Sequence, residues 1–143
     1  MKWLLRLLLG YMKEKVLAGK KIMWVEDDKY LNDIISRKFA AEECQLVHAS
    51  DGESALAMVE KEMPDIILLD ILLPRMDGYS VLEKLKSMPA VSHIPVLILS
   101  NLGQKSDVEK GKALGAEKFI VKATLSLDEI IQETSNILKA KEN

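Results

Sequence analysis

The chain has 143 residues, 48% of them hydrophobic and 29% charged, with a formal net charge of −2 and one cysteine. That is room for a single well-packed domain, and a near balance of 20 basic and 22 acidic side chains disfavours direct nucleic-acid binding. Cys44 alone excludes an internal disulfide or a cysteine-rich metal site, and it reads as a small buried apolar residue in a reducing, cytoplasmic compartment.

Residues 1–18 stand apart as a Leu-rich extension, and 19–143 form the domain. The apolar part of Met1 to Met12 is too short to span a bilayer and is interrupted by Arg6, which excludes a transmembrane helix. Arg6 also splits what would be the core of a secretory signal, and Lys13-Glu14-Lys15 crowds its cleavage site. On a helical wheel Leu4, Leu8 and Tyr11 join Leu5, Leu9, Met12 and Val16 in one apolar arc, with Lys2, Arg6 and Lys13 on the remainder. Such an arc needs a partner: the domain's own flank, a second copy of the chain giving a homodimer, or an anionic membrane surface, the least favoured of these for residues 1–18. No partner is needed if translation starts at Met12.

From Lys20 onward strand and helix patterns alternate. Lys20 to Val25 is a short apolar run that stops at Glu26-Asp27-Asp28. Tyr30, Leu31, Ile34, Ile35, Lys38 and Phe39 recur at helical spacing to about Glu42, with Asp28 as N-cap. Gln45 to Ala49 is a strand, and Asp51-Gly52-Glu53 opens a helix with Ala55, Leu56, Met58 and Val59 inward. Ile66 to Leu69 has no alternation, the pattern of a strand covered on both faces. Pro74 and Asp77-Gly78 force a loop after it. A helix over Tyr79 to Ser87, a strand over Val96 to Leu99 ending at Ser100, a polar helix over Ser106 to Leu114 and a strand over Glu117 to Val121 ending at Lys122 follow. Ser126 caps a last helix that runs into the polar tail Lys139 to Asn143. Five strands alternating with five helices across short loops predict an α/β fold, a doubly wound parallel sheet with helices on both faces.

The strand ends carry the chemistry. Glu26 and Asp27, Asp70, Ser100 and Lys122 each terminate a strand at its carboxyl end, where open α/β sheets bind ligands. Singly each has a plainer role, as a loop acid, turn starter, helix cap or surface lysine. Converging on one crevice, three carboxylates raise one another's proton affinity unless a cation neutralises them, and oxygen ligands of this kind select Mg²⁺. An Asp carboxylate so placed can attack phosphorus in line, with Lys122 stabilising the equatorial oxygens and Ser100 donating a hydrogen bond.

The motifs Val25-Glu26-Asp27-Asp28, Asp70-x-x-x-Pro74 with Met76-Asp77-Gly78, Pro95-Val96 to Ser100, and Gly115-Ala116 to Lys122 together resemble those of the receiver domains of two-component response regulators, over about Lys20 to Lys139. The resemblance implies a flavodoxin-like strand order 2-1-3-4-5 in a stand-alone, CheY-like signalling protein. It implies that Asp70 is the phosphoacceptor, that Asp27 and Asp70 bind Mg²⁺ directly with Glu26 acting through water, and that the Leu72 carbonyl completes the protein's share of the ligands. Ser100 and Lys122 would contact the phosphoryl group, and Phe119 sits where the family's switch aromatic lies. The implied partners are a sensor histidine kinase or phosphotransfer protein and an unknown downstream protein. Such a domain is a signalling phosphoacceptor rather than an enzyme. The alternatives are a phosphorylation-independent interaction module and a phosphatase of the aspartyl-phosphate kind, which would need a second acid where Leu72 stands.

Three departures bear on mechanism. Ala123 replaces the family's cis proline, and a cis bond before a non-proline residue costs roughly 2.5–4 kcal/mol, so either a trans link with a shifted loop or a strained cis bond is expected. Asn101 stands where a small residue usually leaves phosphoryl access. Leu72 and Leu102 are apolar where polar side chains could guide attacking water, so slow self-dephosphorylation is expected.

Overall fold

The structure, a computed structural model, describes residues 1–11 and 15–142, with the backbone alone for residues 7–11. The expected arc through Leu8, Leu9, Tyr11 and Met12, and the charges at Lys13 and Glu14, therefore lie outside the described side chains. In chain order the elements are α1 (Lys2–Tyr11), β1 (Lys21–Val25), α2 (Lys29–Ala40), β2 (Gln45–Ala49), α3 (Gly52–Glu62), β3 (Ile66–Leu69), α4 (Gly78–Ser87), β4 (Val96–Ser100), α5 (Lys105–Ala113), β5 (Lys118–Val121) and α6 (Leu127–Glu142). The five strands form one parallel sheet of order β2-β1-β3-β4-β5.

Alternation along each strand divides the core between the two sheet faces. Ile22 and Trp24, Ile66 and Leu68, Leu97 and Leu99, and Ile120 pack with Ile35 and Phe39 of α2 and with Ile130, Ile131 and Leu138 of α6. Met23 and Val25, Ile67 and Leu69, Val96 and Ile98, and Phe119 face the opposite way, against α3, α4 and the inner side of α5. β3 is buried at all four positions, as an unalternating run at the centre of a parallel sheet requires.

The caps expected at Asp28 and Ser126 are in place, and Asp51 and Asp77 add two more. Asp28 accepts from the amides of Tyr30 and Leu31, and Asp51 and Asp77 from those of Ser54 and Ser80. Ser126 and Glu129 form a reciprocal capping box at α6. Several boundaries differ from the sequence reading: α2 stops at Ala40, α4 begins at Gly78, and α5 ends at Ala113. α5 begins at Lys105, because the Gln104 amide donates to the Asp107 carboxylate at 3.2 Å and fixes an earlier first turn. β1 begins at Lys21 and β5 at Lys118, one residue later than expected in each case. Cys44 is half-buried rather than fully buried, with Sγ 3.2 Å from the Phe39 carbonyl. Leu17, from the last residues of the extension, is fully buried beside Val16 in the α2–α6 half of the core.

Candidate functional site: an acid and lysine crevice at the strand ends

Parallel register brings the chemistry together. β1 and β3 pair through Val25 and Leu69, so Glu26 and Asp70 emerge side by side. Backbone ladders continue one residue further, from the Asp70 amide to the Val25 carbonyl and from the Glu26 amide to the Ala49 carbonyl, both 3.1 Å. Ser100 pairs with Val121, which sets Lys122 at the same edge. One oxygen each from Glu26, Asp27 and Asp70 lies within 4.8 Å of the others. Glu26 and Asp70 are buried, and Asp27 is exposed at the rim.

Lys122 bridges two of these acids, with Nζ donating to Glu26 Oε2 at 2.8 Å and to Asp70 Oδ2 at 3.0 Å. Burial opposes its charge, but the hydrogen bonds and charges of Glu26 and Asp70 outweigh that and hold the ammonium above its ordinary pKa. Burial, reinforced by hydrogen bonding to Asp70 and by its charge, pushes the Glu26 carboxyl up to about 7 against the pull of Lys122. Ionised carboxylates within 4.8 Å of one another repel by at least roughly 3 kcal/mol per pair at an effective dielectric near 20. One ammonium among three ionised acids still leaves the cluster with two uncompensated negative charges, and oxygen donors of that charge fit a hard divalent cation.

The remaining sequence-predicted residues fall around this cluster. The Leu72 amide donates to Asp70 Oδ1 at 3.2 Å, and no hydrogen bond among the described residues engages the Leu72 carbonyl. Ser100 is fully buried, and its hydroxyl accepts from the Leu102 amide at 3.4 Å. The Lys122-Ala123 bond is trans, and Lys122–Thr124 forms a 3-10 turn, so of the two outcomes expected at Ala123 the trans link is realised. Phe119 is already buried against Ile98 and the α5 backbone at Gly111.

Sequence reasoning missed the parts that aim the acids. Asn32 donates to the Glu26 carbonyl at 3.0 Å while accepting from the Trp24 indole at 2.6 Å, and a His48 ring nitrogen lies 2.9 Å from the same carbonyl. Asn32, one turn into α2 after Asp28, and His48, register partner of Trp24, were visible only as helix and edge-strand residues. Gly78, read as a turn residue, also lies against the loop that carries Asp70: a Cβ there would stand 2.3 Å from the Asp70 carbonyl oxygen.

A flavodoxin-like sheet of this order, with an acid trio and a lysine at its carboxyl edge, defines the CheY-like class of signalling domain. Residues 22–135 match the response regulator receiver domain family, and the chain belongs to it, a receiver domain of two-component signalling. Among curated relatives, the response regulator PleD of Caulobacter vibrioides is 39% identical over 102 residues, 71% of this chain and 22% of that protein. The probable transcriptional regulator ycf27 of Guillardia theta is 35% identical over 103 residues, 72% of this chain and 39% of that protein. The chain thus spans well under two thirds of the length of these relatives. The receiver domain of Francisella response regulator 1452 superposes with a TM-score of 0.78 at 30% identity, over 87% of this chain and 100% of that one. The phosphorylated cyanobacterial phytochrome response regulator RcpA does so at 0.71 and 33% identity, over 84% and 91%.

Proposed function

We propose that this receiver domain accepts a phosphoryl group on Asp70 from a phosphohistidine of a sensor histidine kinase or phosphotransfer protein. The observation that carries the reading is the Lys122 ammonium bridging Glu26 and Asp70 at the carboxyl ends of adjacent strands. Asp27 and Asp70, the Leu72 carbonyl and, through water, Glu26 would hold Mg²⁺, which when bound supplies positive charge beside the phosphoryl oxygens. An Asp70 carboxylate oxygen attacks phosphorus opposite the imidazole. The O–P bond forms as the P–N bond breaks, and the imidazole nitrogen leaves with the electron pair and takes up a proton. Lys122 follows the incoming negative charge, and the Ser100 hydroxyl turns its hydrogen toward a phosphoryl oxygen.

The domain acts as a cytoplasmic phosphoacceptor, not as an enzyme on a separate substrate. Drawing Ser100 and its loop inward biases the face formed by α5, β5 and α6, which then binds a downstream protein, pairs with a second copy, or accompanies onward phosphotransfer. The similarity to a phosphorylated response regulator, RcpA, supports this. One observation favours a phosphorylation-independent interaction module instead: Phe119 is buried while Lys122 is still paired to the carboxylates. Intact mass after acetyl phosphate and Mg²⁺ separates the two. Gain of one phosphoryl group by wild type and none by Asp70→Asn is the expected result, and an unphosphorylated wild type would leave the interaction module.

A further inference from the structure

We propose that α1 is a membrane-surface helix that docks this receiver domain on an anionic lipid bilayer. Trp3 is 66% exposed, Leu4 47% and Leu5 60%, and neither face of the core includes any of the described side chains of α1, those of residues 2–6. Residues 1–6 therefore do not cover the domain's own flank. What covers them is decided by charge. The helix reads KWLLRLLLGY, with Lys2 and Arg6 as its only charged residues, and all 22 acids of the chain lie beyond residue 13. Pairing with a second α1 would bring cations together with no acid on either helix to offset them. A layer of anionic headgroups offsets both, while Trp and Leu side chains enter the acyl boundary.

The dimensions agree. Ten helical residues extend about 15 Å, half the hydrocarbon thickness, so the helix lies in the interface rather than spanning it. Among the described residues no helix is long and apolar enough to cross a membrane. Its attachment also suits the purpose. The chain re-enters the fold at the fully buried Leu17 and at Gly19, whose amide donates to the Glu43 carbonyl, next to the start of β1. The acid crevice is at the opposite, carboxyl edge of the sheet. Docking through α1 thus leaves Asp70 accessible to a phosphodonor.

The chain carries its own reporter. It has two tryptophans, of which Trp24 is 1% exposed and Trp3 is 66% exposed, so a change of emission on adding vesicles reports Trp3. The full chain is mixed with phosphatidylcholine vesicles, with and without about a quarter phosphatidylglycerol, and followed by co-sedimentation and tryptophan emission. Expected are a blue shift and sedimentation with the anionic vesicles, at least ten-fold weaker partition to neutral ones, and release by salt. Neutralising one basic side chain costs about five-fold in partition, so the double charge reversal Lys2→Glu with Arg6→Glu lowers it more than twenty-five-fold. Leu4→Glu with Leu5→Glu removes binding. Both pairs alter exposed residues and leave the thermal melt of the domain unchanged. Absence of vesicle binding by wild type overturns the proposal, as does binding that both pairs leave intact. Light scattering showing a dimer that the Leu4 and Leu5 pair dissolves, with no vesicle binding, overturns it in favour of a second copy.

Discussion

Replacing Gly78 by alanine tests how the loop after β3 fixes the phosphoacceptor. The added Cβ would lie 2.3 Å from the Asp70 carbonyl oxygen and 2.7 Å from the Ile71 Cα. Real Cβ contacts essentially never fall below 3.0 Å, so the loop must open by at least about 0.7 Å, and both obstructing atoms are backbone. Overpacking of this kind costs about 1–3 kcal/mol, with the upper end applying where no side chain can swing aside. Opening also strains the hydrogen bond from the Gly78 amide to the Ile71 carbonyl, now 2.8 Å, worth about 1 kcal/mol. The better helix propensity of alanine returns at most about 1 kcal/mol. The net loss is about 3 kcal/mol, a fall in Tm of roughly 6–12 °C for a domain of this size. Displacement of Asp70 should also slow phosphorylation by acetyl phosphate about ten-fold or more. Gly103→Ala is the control, since its Cβ would meet only the Val121 side chain at 3.2 Å. Urea and thermal melts of the two variants should separate clearly. A Gly78→Ala protein as stable and as readily phosphorylated as Gly103→Ala would refute the reasoning.

Lys122→Met removes the ammonium shared by Glu26 and Asp70. Urea melts should show a loss of about 2 kcal/mol without divalent cation, recovered in millimolar Mg²⁺, and equal loss in both conditions would contradict the metal assignment. Asn32→Leu strands the buried Trp24 indole N–H and leaves the Glu26 carbonyl with His48 alone of its two side-chain partners. It should cost about 1–3 kcal/mol and weaken Mg²⁺ binding in a titration followed by calorimetry. Leu102→Glu places a polar side chain two residues past Ser100, and the phosphorylated form followed by intact mass should decay faster than wild type. An unchanged decay rate would remove Leu102 from the account of phosphoryl lifetime.

The alternation of apolar runs and polar strand ends made the sheet and its convergent acids legible, because a buried parallel strand and its ligand-facing terminus each leave a strong local pattern. Asp70, Glu26 and Lys122 end such strands, and the fold brings them together. Boundaries were less legible where a side chain decides them, as Asp107 does by capping the Gln104 amide one turn ahead. Asn32 and His48 were hidden for a different reason. Their work is on the Glu26 carbonyl, a backbone group whose need for partners has no signature in sequence. The state of Phe119 was equally illegible, since a ring on a strand has the same periodicity whether it lies under α5 or swings out.

The central claim is that five strand-end groups serve one magnesium and phosphoryl site, and amide NMR with beryllofluoride and Mg²⁺ tests it most directly. Concerted shifts at Glu26, Asp27, Asp70, Leu72, Ser100 and Lys122, saturating together and lost in Asp70→Asn, are the predicted result. Shifts confined to one strand end, or persisting in Asp70→Asn, would contradict it.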